Sequence, residues 1–364
     1  MMTVWFAYEK QPSAEANNAA PKARADVDSI CMEKMQIKPL VVGANRWKRV
    51  GKRPISKVLA HLSAYIEWSK AVKRVSAGDV LILQFPPRNH SLFLGKVFKK
   101  IKKKSVSLVY LIHDLDTLRY RNSNLPNWKQ NRMKREELSL IPLGDRYISH
   151  NNSMSKALES ELSVSSEDTI SLGIFDYLVP KRMTDVWVKA SKELPIVIAG
   201  NLDPKKAGYV YKLPSEIRFN LYGPGYKDES SKGNLNFCGS YPPDKLLRVL
   251  EGSFGLIWDG DSIETCSGSY GDYLRINNPH KTSLYLACGL PIIIWKESAL
   301  SEFVNNERVG LCVDCISSIP GLLNSITEDE YEEMVNNARR VGKRLRSGEY
   351  TQSAVAASLS SLEE

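Results

Sequence analysis

The sequence predicts an α/β protein built on two parallel, doubly wound sheets. Three observations carry that expectation. Short apolar runs of strand length recur along the chain, segments with helical apolar spacing separate them, and 364 residues suffice for two domains. With 43% hydrophobic and 25% charged residues, the composition is that of a globular protein, which sets aside a disordered chain, a collagen-like repeat and a small disulfide scaffold.

In the first half, MTVWFAY (2–8) reads as a strand, followed by a polar loop and a helix expected to begin near Asp26. PLVVG (39–43) is a second short strand, and 57–75 carries apolar residues at helical spacing. DVLILQFP (79–86) is a continuous apolar run, as a strand buried on both faces requires. Leu94, Val97, Phe98 and Ile101 follow i, i+3, i+4, i+7 spacing among six lysines between 96 and 104. SLVYLIHDLD (107–116) is another buried strand whose carboxyl end turns polar, and DRYISHN (145–151) is one more.

A second series follows residues 172–190. Strands are expected at 195–200, 217–223, 234–239, 254–260, 290–295 and 309–313, with helices at 243–251, 279–288, 298–306 and 327–346 between them. The expected organisation is two Rossmann-like domains, 1–175 and 176–345, facing a central cleft. Residues 346–364 would form a weakly ordered tail or a crossover helix.

Charge is unevenly spread. Residues 1–170 carry a net +13 and residues 171–364 a net −4, so the front half is expected to face an anionic partner. Lysine and arginine clusters at 46–53 and 96–104 supply much of this excess; a solvated helix face is the plain reading, and a face lying on anionic lipid the functional one. No nucleic-acid-binding motif accompanies the charge, which argues against nucleic acid. There is no signal peptide at the start and no apolar run long enough to span a membrane, so a cytoplasmic protein is expected. The six cysteines are irregularly spaced; Cys312 and Cys315 lack the second ligand pair a zinc site needs and read as strand-core thiols.

In open parallel sheets, ligands bind beyond the carboxyl ends of the strands. NNPHKTSLYLACGLP (277–291) carries a helix start, with Asn278 as the expected N-cap and Pro279 as the first helical residue. Free first-turn amides and the helix dipole make such a start an anion site, and Lys281, Thr282 and Ser283 would add a cation and hydroxyls. A merely well-capped surface helix is the alternative. Glycine turns at 199–202, 222–226 and 238–241 would let backbone approach a nucleotide. A P-loop, a full GxGxxG, HExxH, GxSxG and an EF-hand are absent, which argues against a P-loop ATPase, a kinase and a standard dinucleotide dehydrogenase. Two DxD pairs occur, Asp114/Asp116 and Asp259/Asp261, a pattern that can bind a divalent metal bridging a nucleotide diphosphate. His113, Asp114 and Asp116 are alternative general bases, and a carboxylate that caps the next turn or pairs with Arg119 is the structural alternative.

The block 254–295, FGLIWDGDSIETCSGSYGDYLRINNPHKTSLYLACGLPIIIW, resembles the carboxy-terminal domain of a bacterial glycosyltransferase family of the GT-B fold. That family includes galactofuranosyltransferases of polysaccharide and O-antigen synthesis and glucosyltransferases that extend glycans on serine-rich adhesins. AAPKARADV (19–27), LIHDLDTLRY (111–120), IAGNLDPKKAGYVYKL (198–213) and LYGPGY (221–226) resemble further blocks of it. The resemblance implies a UDP-sugar donor in the second domain, lined by Asn201, Lys205, Gly223, Tyr241, Asn278, Lys281 and Thr282. It implies a saccharide acceptor, lipid-linked for the galactofuranosyl members, in the first domain, with Asp114 or Asp116 as base and Asn18 and Arg119 nearby. Inversion at the anomeric carbon without a cofactor or metal would follow. A glucosyltransferase acting on a glycoprotein is the runner-up, and a nonenzymatic nucleotide-sugar-binding assembly subunit belongs to a different class. A single-domain metal-dependent transferase would need only one set of parallel strands. The sequence leaves the oligomeric state open.

Overall fold

The computed structural model describes residues 2–10, 19–45, 54–89, 91–123, 125–183, 185–227 and 233–363. The chain divides into two compact units, one of residues 1–15, 27–172 and 352–364, the other of residues 16–26 and 173–351.

The first unit holds strands β1 (Val4–Glu9), β2 (Lys38–Val42), β3 (Val80–Phe85), β4 (Ser107–Ile112), β5 (Arg146–Ser149) and β6 (Thr169–Ser171) in one parallel sheet of order β2-β1-β3-β4-β5-β6. β3 is buried at every residue and β4 at all but Ser107, which is why both read as uninterrupted apolar runs. The connecting helices are α1 (Ala19–Ser29), whose residues 19–26 belong to the second unit, and α2 (Pro54–Ala71), α3 (Leu94–Lys102), α4 (Asp116–Arg119), α5 (Asn127–Leu140) and α6 (Asn152–Leu162). From β1 the chain steps outward to β2 and then returns to β3 on the other side of β1. This reversal makes the carboxyl ends of β1 and β3 the switch point of the sheet, where such folds place ligands.

The second unit has β7 (Ile196–Ala199), β8 (Phe219–Tyr222), β9 (Leu235–Gly239), β10 (Gly255–Ile257), β11 (Ile292–Trp295) and β12 (Gly310–Val313), ordered β12-β11-β10-β7-β8-β9 and parallel throughout. Its switch point lies between β7 and β10. Helices α7 (Pro204–Ala207), α8 (Pro243–Val249), α9 (Gly268–Tyr273), α10 (His280–Ala287), α11 (Ser301–Glu307), α12 (Ile319–Ser325) and α13 (Glu328–Ser347) complete the unit, before α14 (Glu349–Ser360). α10 is held firmly. A Cβ on Gly342 of α13 would stand 2.4 Å from the Leu286 carbonyl oxygen, so glycine lets the two helix backbones approach each other closely. The Arg346 guanidinium donates to the Ala287 carbonyl at 2.6 and 2.9 Å, placing a cation on the negative end of the α10 dipole.

Several elements differ from the sequence reading. α1 begins at Ala19 rather than near Asp26; its alanine-rich first turns lack the apolar periodicity that marks a helix. α5 carries too weak an apolar stripe to be read, β6 has only three residues, and α6 is not among the expected helices although Met154, Leu158 and Leu162 share one face. The closing residues are not a weak tail: α14 buries Ala354, Val355 and Ser358, and Arg146 donates to Ser361 Oγ at 2.8 Å. Cys312 lies half-buried in β12 and donates to Asn305, whereas Cys315 lies beyond the strand. Leu94, Val97, Phe98 and Ile101 of α3 are fully committed to the core, so they do not face lipid. Among the described residues, no helix is long and apolar enough to cross a membrane.

Candidate active site

In the second unit, the turns that follow β7, β8 and β9 stack on one another. Gly223 donates to the Gly239 carbonyl at 2.9 Å and Leu202 to the Pro224 carbonyl at 2.8 Å. Gly223 has φ 138°, and a Cβ there would lie 1.8 Å from the Gly200 carbonyl oxygen. Its glycine is therefore required by the neighbouring turn rather than by an approaching nucleotide. Gly200 is different: at φ 146° it also needs glycine, but a Cβ would meet nothing within 4 Å. The open backbone beyond β7 is at Gly200. Asn201 Oδ1 accepts from the Asp203 amide, and the Lys205 amide donates to Asp203 Oδ1, leaving both exposed side chains on the same turn. Tyr241 follows β9, with Lys245 5.0 Å above its ring.

At the other side of the switch point, β10 is followed directly by Trp258-Asp259. Lys281 Nζ, on the first turn of α10, donates to the Trp258 carbonyl at 2.6 Å and pairs with Asp259 Oδ1 at 3.0 Å. Both side chains are largely buried, 17% and 11% exposed. Asp261, the second carboxylate of that DxD pair, accepts from Ser267 Oγ. Among the described residues, no group of three histidines, cysteines or carboxylates is arranged to hold a metal ion.

The helix start differs in detail from the sequence reading. Pro279, not Asn278, occupies the N-cap, and Asn278 turns inward to donate to the Gly173 carbonyl at 2.9 Å. Proline has no side-chain acceptor, so as the cap it takes none of the first-turn amides. Thr282 is fully buried beneath that turn. His280 stacks on Tyr177 with ring centroids 5.1 Å apart, and the Lys22 ammonium lies 4.6 Å from the same ring. Lys22 also donates to Asp26 and to the Leu178 carbonyl. Burial pushes the His280 pKa down to about 3, and Lys22 adds to the fall. Burial raises Asp176 to about 7 and Asp26 to about 6, the latter against the pull of Lys22. Lys22 is thus a second cation beside the α10 start. It lies in the quoted block 19–27, and its i, i+4 spacing from Asp26 was the available signal.

In the first unit, the sequence-derived residues gather beyond β4. His113 Nε2 is bonded to Gln84 Oε1 at 2.6 Å, and Gln84 donates to Asp28, which Arg88 also binds at 3.0 Å. The Arg88 and Asn89 amides donate to the Glu9 carboxylate at the end of β1. His113 is therefore part of a buried network that ties together the switch-point strands. Asp114 is more open and pairs with Arg119 at 3.2 Å. Asp116 opens α4, whose first amides donate to Glu137. Burial lifts Glu137 to about 7, with Asp116 reinforcing the rise. Glu9, Asp28, Gln84, Arg88 and Glu137 are not singled out by the sequence; the clue is a polar residue within the last two positions of an otherwise apolar strand (Glu9, Gln84). Asn18 and the 46–53 cluster lie outside the described residues.

Residues 7–173 match the family model for the N-terminal domain of glucosyltransferase 3-like proteins, and residues 196–358 match that for the C-terminal domain. Over 334 residues, 92% of each chain, the protein is 33% identical to the beta-1,6-galactofuranosyltransferase WbbI of Escherichia coli K12. The chain belongs to the glucosyltransferase 3-like family. It is a glycosyltransferase. Another member of this glycosyltransferase family, glucosyltransferase 3 of Streptococcus gordonii, is 24% identical over 76% of this chain and 78% of its own. A glycosyltransferase from Rickettsia africae superposes with a TM-score of 0.59 at 11% identity, covering 100% of this chain and 99% of the other. A trehalose 6-phosphate synthase from Burkholderia multivorans gives the same TM-score at 8% identity and the same coverage. These structural likenesses bear on the fold, which is GT-B.

Proposed function

We propose that this enzyme transfers galactofuranose from UDP-galactofuranose to a saccharide acceptor, with inversion at the anomeric carbon. The observation that carries the donor is the 33% identity to a galactofuranosyltransferase across 92% of both chains. The donor diphosphate is held at the start of α10, where first-turn amides and the helix dipole favour an anion. Lys281 neutralises the charge that develops on the leaving diphosphate, and Lys22 reinforces it. Asn201, Lys205, Gly223, Tyr241, Asn278 and Thr282 shape the remainder of the donor site, with Gly223 acting through the turn at Gly200. No divalent metal takes part: Asp259 is committed to Lys281 and Asp261 to Ser267.

Asp114 is the base that takes the acceptor hydroxyl proton as that oxygen attacks the anomeric carbon and the UDP oxygen leaves. Its side chain is 36% exposed, whereas His113 is buried against Gln84. Arg119 orients the Asp114 carboxylate, and Glu137 holds the turn that carries Asp116. The acceptor is a lipid-linked polysaccharide or O-antigen intermediate, met by a peripheral enzyme on the cytoplasmic side of the membrane. The second reading, a glucosyltransferase acting on a glycoprotein glycan, is favoured by the similarity to streptococcal glucosyltransferase 3. A screen of UDP-galactofuranose, UDP-galactopyranose, UDP-glucose and UDP-N-acetylglucosamine, with and without EDTA, tests the proposal. Transfer from UDP-galactofuranose that survives EDTA supports it, and loss of activity in EDTA overturns the metal-free assignment.

A further inference from the structure

We propose that the outer face formed by α2 and α3 docks the enzyme on an anionic lipid bilayer. This deepens the membrane-side reading of the acceptor, on which it rests. α2 is apolar on two faces, where an ordinary surface helix is apolar on one. Its inner face is filled by Ala64, Trp68 and Ala71, yet three further large aliphatic residues point outward. Val58, Leu62 and Ile66, spaced i, i+4, i+8 and so aligned in one stripe, are 56%, 41% and 46% exposed. Nothing in the folding of the first unit needs them there, because the core is closed beneath them by Trp68 and by Phe98 of α3, whose rings meet at 5.1 Å.

α3 continues this surface. Phe93, just before α3, sets its ring edge-on to His61 and Tyr65 of α2 at 6.5 and 6.4 Å, joining the two helices. The apolar side of α3 is buried, which leaves Lys96, Lys99 and Lys100 outward and exposed. One face therefore combines an aliphatic stripe with a row of ammonium groups. The same combination is what an interfacial helix presents to acyl chains and anionic headgroups. A second copy of this chain carries the same exposed lysines and so lacks, on this face, the opposite charge that an anionic bilayer supplies. The net +13 of residues 1–170 matches a negatively charged surface over a longer range.

The test is co-sedimentation of the full chain with phosphatidylcholine vesicles, with and without phosphatidylglycerol. Binding is expected only with phosphatidylglycerol and is expected to weaken as salt rises. K96Q/K99Q/K100Q should lower the partition coefficient by about 100-fold, at the known strength of each lysine near an anionic surface. V58S/L62S/I66S should lower it by about tenfold or more. Both variants should keep the wild-type circular dichroism and transfer to a water-soluble acceptor. Equal binding to neutral vesicles, no binding of wild type, or unchanged binding in both variants overturns the docking face. So does a dimer in solution that V58S/L62S/I66S disperses without any vesicle binding. Transfer to a lipid-linked acceptor without vesicle binding overturns the docking face alone. Vesicle binding without transfer to any lipid-linked acceptor overturns the acceptor reading alone.

Discussion

Replacing Lys281 separates two roles that one side chain would combine. Its ammonium pairs with Asp259 at 3.0 Å, with both side chains less than a fifth exposed. Lys281→Met leaves the Asp259 carboxylate buried without its countercharge, a loss of about 3 kcal/mol. For a unit of this size that corresponds to a fall in melting temperature of about 6–12 °C. Adding Asp259→Asn removes the stranded charge, so the double variant should recover stability to within about 1 kcal/mol of wild type. Activity should not recover with it. If Lys281 stabilises the leaving diphosphate, both variants lose about 10²–10³-fold in kcat/KM, because the interaction belongs to the transition state. Thermal melts and initial rates on the same preparations settle the matter. A double variant that regains both stability and activity would show that Lys281 only satisfies Asp259, and the diphosphate assignment would fall.

Three further outcomes are expected. Gly223→Ala should destabilise the second unit by about 3 kcal/mol or prevent its folding, since the new Cβ meets the Gly200 carbonyl at 1.8 Å; Gly200→Ala, strained but unobstructed, should cost about 1–2 kcal/mol. Equal melting temperatures for the two would contradict this. Asp114→Asn should lower kcat by about 10²–10⁴-fold with the donor KM little changed, while an unaffected kcat would move the base to Asp116. His280 is held neutral, its pKa falling from an unfolded value near 6.5 to about 3, so the stability it contributes above pH 6.5 is lost as pH drops. At pH 4 that loss is about 3 kcal/mol, and His280→Phe should abolish it while keeping the stack on Tyr177. Asp176 and Asp26, raised to about 7 and about 6, act in the opposite sense and favour the fold as pH falls, so melts of wild type and variant at pH 4 and pH 7 isolate the histidine. An identical pH dependence in both proteins would refute the assignment.

The strands of the second unit were the most legible part of the fold. A parallel strand covered on both faces must be apolar throughout, and Ile292–Trp295 or Ile196–Ala199 show this without any partner in view. Lys281 was legible for a local reason as well: it sits on the first turn of a helix whose stop is written in Gly289 and Pro291. What escaped the sequence is what depends on distant residues. Asp259 meets Lys281 from 22 positions away, Glu137 reaches the amides of Asp116 and Thr117 across about as many, and Arg346 finds the end of α10 from 59. Residue preference points to an N-cap at 278, but the helix starts at His280 with Pro279 as its cap, and the Asn278 amide donates to the Gly173 carbonyl, a contact 105 positions away. α5 eluded the reading because its helix is mostly charged and polar, with only Met133, Glu136, Glu137 and Leu140 turned inward. Two of those four are carboxylates.

The central claim is that this glycosyltransferase uses a galactofuranosyl donor. Its most direct test is kcat/KM for UDP-galactofuranose and UDP-glucose, measured on one acceptor panel with product identity read by mass spectrometry and linkage by NMR. The account predicts transfer of galactofuranose with inversion, and a kcat/KM for UDP-galactofuranose well above that for UDP-glucose, because a site that hydrogen-bonds the hydroxyls of one sugar leaves polar groups unpaired with the other. Efficient transfer from UDP-glucose, with none from UDP-galactofuranose on any acceptor, would contradict it.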